Sequence, residues 1–303
     1  VPWLIQGADL FGHYGYTFLT VLVNCALFTL VAEKFKGHRR YLAVVSVAAV
    51  ICMASGYFAY SWNRVSERLG RVERVLMGVV QGNVEQGIKW SSEERVKTVK
   101  KYLDLSERLT RSRTPEVILW PETAMPFYPH VSVHFTPVME FAEQKGLAVL
   151  TGAPWYDVEN WEEKRFFYYN SAVLLSSSAE FDGLYHKSHL VPYGEYVPFK
   201  KYMPFIAPLV EMVGDFTPGR VERPLGVTEI RMGVLICYES IFGMISREWA
   251  MAGANVLVNL TNDAWYGRSS APYQHLALVV FRAVDNRRAL GRVANTGISA
   301  FID

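Results

Sequence analysis

The chain has 303 residues, 31 Lys and Arg against 29 Asp and Glu, a formal net charge of +2, and half of its residues are hydrophobic. Scattered Lys and Arg in a near-neutral balance form no basic face, so no nucleic-acid partner is expected. Its three cysteines, Cys25, Cys52 and Cys237, offer neither a disulfide framework nor metal-ligand spacing.

The first elements are two uncharged runs. Leu10 to Ala32 and Tyr41 to Asn63 contain no Asp, Glu, Lys or Arg. Each is long enough for a helix to cross the hydrocarbon layer, which takes about 20 residues at ~1.5 Å per residue. A buried core helix would carry charge on one face, and a secretory signal would carry a basic segment that is missing before Leu10. Residues 1–63 are therefore expected to form a transmembrane hairpin with spans at 10–32 and 41–63. Lys34, Lys36, Arg39 and Arg40 between the spans favour a cytoplasmic loop, whereas Arg64, Arg68, Arg71 and Arg74 after the second span weigh against it.

Residues 64–74 read as a linker, within a polar stretch from Ser61 to Arg74 that suits a helix at a membrane surface, and a soluble domain follows over 75–303. Val75 to Val80 is an apolar run closed by Gln81-Gly82-Asn83 and predicts a buried strand. Ser91 to Arg111 predicts a helix, capped by Ser91 or Ser92 with Glu93 and Glu94 in its first turn. Val117–Trp120 (strand), Val133–Lys145 (helix) and Leu147–Gly152 (strand) continue the alternation. Strands are then expected at Asn170–Leu175, Glu180–His186, Val227–Arg231 and Met232–Cys237, a helix near Ile241–Ala252, and a strand at Val256–Leu260. A helix across Pro272–Arg288 and a strand at Ile298–Ile302 end the chain. Apolar strands alternating with helices imply an α/β fold whose sheets are covered by helices, and the hairpin-like middle strands make the sheet mixed. Tyr193 to Val213, rich in Pro, Tyr, Phe and Met, reads as an apolar surface loop.

Three reactive side chains fall just beyond apolar strands, where open α/β sheets hold their ligands: Glu122, Lys187 and Cys237. Singly, each has an ordinary explanation: a cysteine on a buried strand is a small core hydrophobe, and a Glu or Lys past a strand is a solvated loop residue. Together they suit acyl transfer. A thiol needs a base or a nearby cation to act as nucleophile, and an ammonium can stabilise the oxyanion that follows attack.

The segments Trp120-Pro121-Glu122-Thr123-Ala124, Tyr185-His186-Lys187 and Cys237-Tyr238-Glu239 resemble the nitrilase superfamily, which uses Glu, Lys and Cys in this chain order. The resemblance implies an αββα sandwich, with Glu122 as base, Lys187 as oxyanion partner and Cys237 as nucleophile. The finer match, covering nearly the whole chain, is similar to the apolipoprotein N-acyltransferase branch. Its matching segments are Gln81-Gly82-Asn83 through Lys89-Trp90, His186 through Phe199, Asn259 through Gly267, and Asn295-Thr296-Gly297. That branch implies a substrate-site role for Trp90, a supporting role for Glu195, and functional roles for Tyr238 and Glu239.

It also implies a phospholipid acyl donor, a diacylglyceryl-modified apolipoprotein acceptor, no metal or organic cofactor, and a multi-pass protein of the bacterial inner membrane with a periplasmic catalytic domain. The aromatic stretch Tyr193–Phe205, with Trp155, Tyr156 and Trp161 in another loop, is expected to form a membrane-facing lid. The family carries further transmembrane helices at both ends, so a chain opening at Val1 and stopping at Asp303 reads as a fragment, truncated at the C-terminus. A membrane-tethered hydrolase of small amides or nitriles is the main alternative, because the triad alone does not choose between water and an amine as acceptor. A binding module with a vestigial triad is the third.

Overall fold

The computed structural model describes residues 5–32, 37–69, 74–85, 92–160, 162, 165–198 and 215–303. It divides into two units, one of Val75–Val279 with Arg288–Asp303, the other of Val1–Arg74 with Val280–Arg287.

The larger unit is built on two five-stranded mixed sheets. In the first, β1 (Met77–Val79), β2 (Val117–Leu119) and β3 (Ala148–Asn160) run parallel, and β4 (Arg165–Leu175) and β5 (Phe181–His186) extend it antiparallel. In the second, β7 (Ile230–Ile236), β8 (Val256–Thr261) and β9 (Ala289–Ala294) are parallel, flanked antiparallel by β6 (Leu225–Val227) and β10 (Ala300–Ile302). Every residue of β2 and β8 is buried. Such continuously buried runs belong to strands covered on both faces.

The cover on the first sheet comes from α3 (Ser92–Ser112) and α4 (Thr136–Lys145). Tyr102 of α3 stacks 5.3 Å from Trp120, whose indole N–H donates to Ser106 at 3.0 Å, and Val138, Phe141 and Ala142 of α4 join the same core. On the second sheet, α5 (Gly243–Met251) buries Trp249 completely against Gly233, where an added Cβ would stand 2.7 Å from the Trp249 Cβ. Between the sheets, Asn295 ties the chain beyond β9 to the chain beyond β1: its carbonyl accepts from Asn83 N at 2.8 Å and its amide exchanges bonds with Val84 N and O at 2.9 and 2.8 Å. The layers are αββα, as expected.

The smaller unit holds α1 (Ala8–Val31), kinked at Gly12, and α2 (His38–Leu69). They lie antiparallel, since Tyr57 late in α2 donates to Asp9 at the start of α1 at 2.8 Å while Arg40 reaches Ala32 at the opposite end. Windows of both are long and apolar enough to cross a membrane, and Phe11, Phe18, Ile51 and Met53 are exposed. Arg287 closes the polar end of this unit, paired with Asp9 at 2.7 Å and donating to the Gln6 carbonyl at 2.8 Å.

Several expectations are corrected. The helix after the second apolar run continues to Leu69, into the polar stretch read as a linker and as suited to a helix, with no Gly or Pro between Ser61 and Leu69 to stop it. Trp155 and Tyr156 do not lie on a loop but on the 13-residue β3, which pairs antiparallel with β4 from Val149 to Asn160 with a register shift between Val158 and Asn160. Their aromatic side chains suit a pleated ribbon as well as they suit a lid. The helix expected to run to Arg288 ends at Asn286 as α6 (Ala271–Asn286), and β9 follows it without having been anticipated. Its Gly291 and Arg292 interrupt the apolar pattern that marks the other strands. The Val133–Lys145 helix opens as a 3-10 turn, Val133–Phe135. Most of the Tyr193–Val213 loop, Trp90 and Trp161 lie outside the described residues.

Gly152 of β3 links this architecture to the site. A Cβ there would fall 2.5 Å from Thr123 N and 2.6 Å from Glu122 Cα. Gly152→Ala is therefore expected to cost about 1–3 kcal/mol of stability, read from the denaturation midpoint, and to lower activity by displacing Glu122.

Candidate active site

The two sheets deliver reactive groups from their strand ends to one place. Glu122 follows β2 by three residues, Lys187 follows β5 directly, and Cys237 follows β7 directly. Thr123 and Cys237 both have left-handed backbones, with φ of 49° and 51°. Non-glycine residues hold that conformation at a cost of about 1–3 kcal/mol each, and such strain gathers where a side chain must be aimed.

Lys187 is 1% exposed. Its Nζ lies 2.9 and 2.8 Å from the two oxygens of Glu195 and 3.9 Å from Glu122 Oε1. Glu195 also accepts from Val191 N at 2.9 Å, which folds the loop after β5 back over the lysine. A single amide, Asn170 Nδ2 on β4, donates to both carboxylates, to Glu122 Oε1 at 2.9 Å and to Glu195 Oε1 at 2.8 Å. Glu122 Oε2 is buried and accepts from no described nitrogen or hydroxyl, and the donor facing this carboxylate is the Cys237 thiol.

Burial and electrostatics set the protonation states. Burial, then the Glu122 carboxylate, pushes the Cys237 thiol up to about 12, against a smaller opposing pull from Lys187. Burial also raises Glu122 above the usual carboxylate range, with Lys187 pulling it down and Glu195 pushing it up. Burial alone would lower Lys187, but Glu122, Cys237 and Glu195 overrule it and raise it. The site thus sets a thiol that burial keeps protonated beside a buried carboxylate of raised proton affinity and an ammonium whose charge its neighbours favour. That arrangement can perform nucleophilic attack with general-base assistance and stabilise the resulting oxyanion.

Of the other residues singled out in the sequence, Glu239 sits behind the site. It is fully buried; Oε1 accepts from Tyr185 OH (2.8 Å), Ser188 N (2.6 Å), Ser188 Oγ (2.7 Å) and His189 N (3.1 Å), and Oε2 from Ile236 N (2.8 Å). One carboxylate thus fastens the turn that carries Lys187 to the strand end that carries Cys237. Tyr238 is not drawn into the carboxylate cluster; its ring packs 5.1 Å from Phe242 and 6.4 Å from His189. Asn170 escaped the sequence reading. The available signal was a lone amide heading a strand segment, Ser171–Leu175, that is otherwise buried.

The model of the carbon-nitrogen hydrolase family matches residues 76–303, three quarters of the chain and all of the residues just described. The chain belongs to the carbon-nitrogen hydrolase family. A Geobacter metallireducens protein named apolipoprotein N-acyltransferase is 40% identical over 99% of this chain and 57% of its own length. A Methylococcus capsulatus protein of the same name is 33% identical over the whole chain and 59% of its own length. The chain thus spans less than two thirds of these relatives. Among solved structures, a Saccharomyces cerevisiae member of branch 10 of the nitrilase superfamily matches 77% of this chain and 85% of that one at a TM-score of 0.56 and 16% identity, which identifies the fold.

Removing the Asn170 amide takes a donor from Glu122 and Glu195 together. A hydrogen bond to a charged group contributes about 1.5–3 kcal/mol, which corresponds to about one to two pH units. Asn170→Ala is expected to move the acid limb of the rate profile upward by that amount, measured as single-turnover rate against pH.

Proposed function

We propose that the chain carries the catalytic domain of an apolipoprotein N-acyltransferase, with Cys237 as nucleophile, Glu122 as general base and acid, and Lys187 as oxyanion partner. The observation that carries this reading is the convergence of a buried carboxylate and ammonium on Cys237, in a chain 40% identical to a relative of that name. Two helices long and apolar enough to span a bilayer suit an enzyme that draws acyl chains from lipid.

In the first half-reaction Glu122 takes the thiol proton as sulfur attacks the ester carbonyl carbon of a phospholipid. The oxyanion forms against Lys187 Nζ. Collapse breaks the carbon–oxygen bond, Glu122 returns the proton to the departing lysophospholipid alcohol, and a thioester remains on Cys237. In the second half-reaction the α-amine of a diacylglyceryl-modified N-terminal cysteine attacks the thioester. Glu122 takes a proton from the amine, the carbon–sulfur bond breaks, and the thiol is restored as the amide leaves. Glu195 supports Lys187 throughout, Glu239 and Tyr238 shape the approach, and Trp90 contributes to the substrate site. No cofactor or metal enters either step.

This reading assigns 1–63 to the membrane, 64–74 to the connection and 75–303 to catalysis, in a multi-pass protein of the bacterial inner membrane whose catalytic domain lies on the periplasmic side. Intact-mass measurement after incubation with phospholipid vesicles is expected to show a long-chain acyl adduct that is lost in Cys237→Ala. Absence of the adduct, with ammonia released from small amides, would instead establish the hydrolase.

The pH dependence has a definite sign. Glu122 must be ionised to accept the thiol proton, and its affinity for protons is raised, so acylation is fastest above that raised value and falls as pH drops through it. The acid limb is expected above the ordinary glutamate value of about 4.3. Glu122→Gln is expected to lower the single-turnover acylation rate about 10²–10⁴-fold across the whole range and to abolish the limb.

A further inference from the structure

A second buried polar cluster, which plays no part in the two half-reactions, grips the main chain of the nucleophile. The Cys237 carbonyl oxygen accepts from Ser240 Oγ at 2.8 Å and from Asn259 Nδ2 at 3.4 Å, and His275 Nε2 lies 3.3 Å away. His275 Nε2 is also 2.8 Å from Ser240 Oγ, and its Nδ1 is 3.1 Å from Asp263 Oδ1. The Cys237 carbonyl only accepts and the Ser240 hydroxyl spends its one hydrogen on it, so the imidazole holds both through Nε2–H, while Nδ1 faces Asp263 Oδ1 and, at 3.3 Å, Arg292 Nη2.

Both arms of this cluster end on Arg292. Its guanidinium donates to Asp263 Oδ2 at 2.8 Å and to Asn259 Oδ1 at 2.5 Å, and it is anchored by the Ile298 carbonyl at 3.1 Å. Arg292, Asp263 and His275 are all buried. A buried guanidinium–carboxylate–imidazole set of this kind is costly to desolvate and adds nothing to the chemistry at the thiol. Its place against the one strained residue of the reactive set that must swing no further explains why it is there.

We propose that His275, held by Asp263 and Arg292, is a positioning residue that locks the Cys237 carbonyl and so maintains the left-handed backbone aiming the thiol at Glu122. The same lock orients the next peptide. In a trans peptide the N–H points opposite the C=O, so fixing the Cys237 carbonyl in the buried cluster turns the Tyr238 N–H away from it. Sulfur and amide are then set by one interaction, at the residue where φ is 51°.

The inference rests on Cys237 being the nucleophile, and the test separates the two. Cys237 alkylation by iodoacetamide, mapped by peptide mass spectrometry, and single-turnover acylation from phospholipid vesicles are measured for wild type, His275→Phe, His275→Gln and Ser240→Ala. Misplacing a reacting group by about 1 Å costs on the order of 10²-fold, so His275→Phe is expected to slow both reactions about 10- to 100-fold with KM for phospholipid nearly unchanged. His275→Gln, whose amide can still face Ser240, recovers most of the rate, and Ser240→Ala, which leaves the Arg292–Asp263–His275 set intact, shows a loss of the same kind. Alkylation and acylation at the wild-type rate per folded molecule in both His275→Phe and Ser240→Ala, whatever the melting temperature, would overturn the proposal. If His275→Phe does not fold, Ser240→Ala alone decides between these outcomes. A wild-type Cys237 that is neither alkylated nor acylated would overturn the nucleophile assignment instead.

Discussion

Burying an ammonium is the constraint on which the rest of the site depends. Lys187 is sealed from solvent, and a charge so placed survives only when carboxylates neutralise it at contact distance. Glu195 meets that requirement directly and Glu122 from 3.9 Å. Two carboxylates around one ammonium leave an excess of negative charge, which Asn170 tempers by donating to both. The division of labour follows from geometry. Glu195 is saturated by Lys187, Asn170 and Val191, whereas Glu122 keeps one oxygen unclaimed by any described nitrogen or hydroxyl.

That arrangement works only if two sheets hold register with each other, since the base and ammonium belong to one and the thiol to the other. The contacts that align them are polar as well as apolar. Glu239 fastens the Lys187 turn to the end of β7, and Asn295 fastens the ends of β1 and β9. Each of these buried side chains reaches partners at strand ends of the opposite sheet, Glu239 through Tyr185, Ser188 and His189 and Asn295 through Val84. A relative slip of the sheets would therefore leave several buried polar atoms unpaired at once, at about 1–3 kcal/mol each.

The sequence disclosed elements in proportion to how far their burial followed a simple pattern. β2 and β8, apolar or nearly so along their length, were legible, as were α3 from Ser92 and its first-turn glutamates and the two long helices from their uncharged runs. β9 was not, because a buried arginine stands in the middle of it, and Arg292 belongs in that strand only by virtue of Asp263 and Asn259, which come from other parts of the chain. The extension of β3 and β4 into a long ribbon was hidden for a related reason: its aromatic residues satisfy the demands of a strand and of a surface loop equally. Within the site, Glu122, Lys187 and Cys237 could be named from neighbouring motifs. Asn170 could not, since its importance lies in touching two carboxylates 48 and 25 residues away.

The protonation pattern has a consequence for the choice of acceptor. Burial and the Glu122 carboxylate push the Cys237 thiol up to about 12, and in the proposed reaction its proton passes to Glu122 as sulfur bonds to carbon. In that scheme the leaving alcohol then takes the proton away, and Glu122 is again an anion beside the thioester, ready to accept one from whatever arrives. Water and an amine are equal in this respect, so the carboxylate does not select between them. On the proposed reading, selection therefore falls to the approaches to Cys237 rather than to the triad.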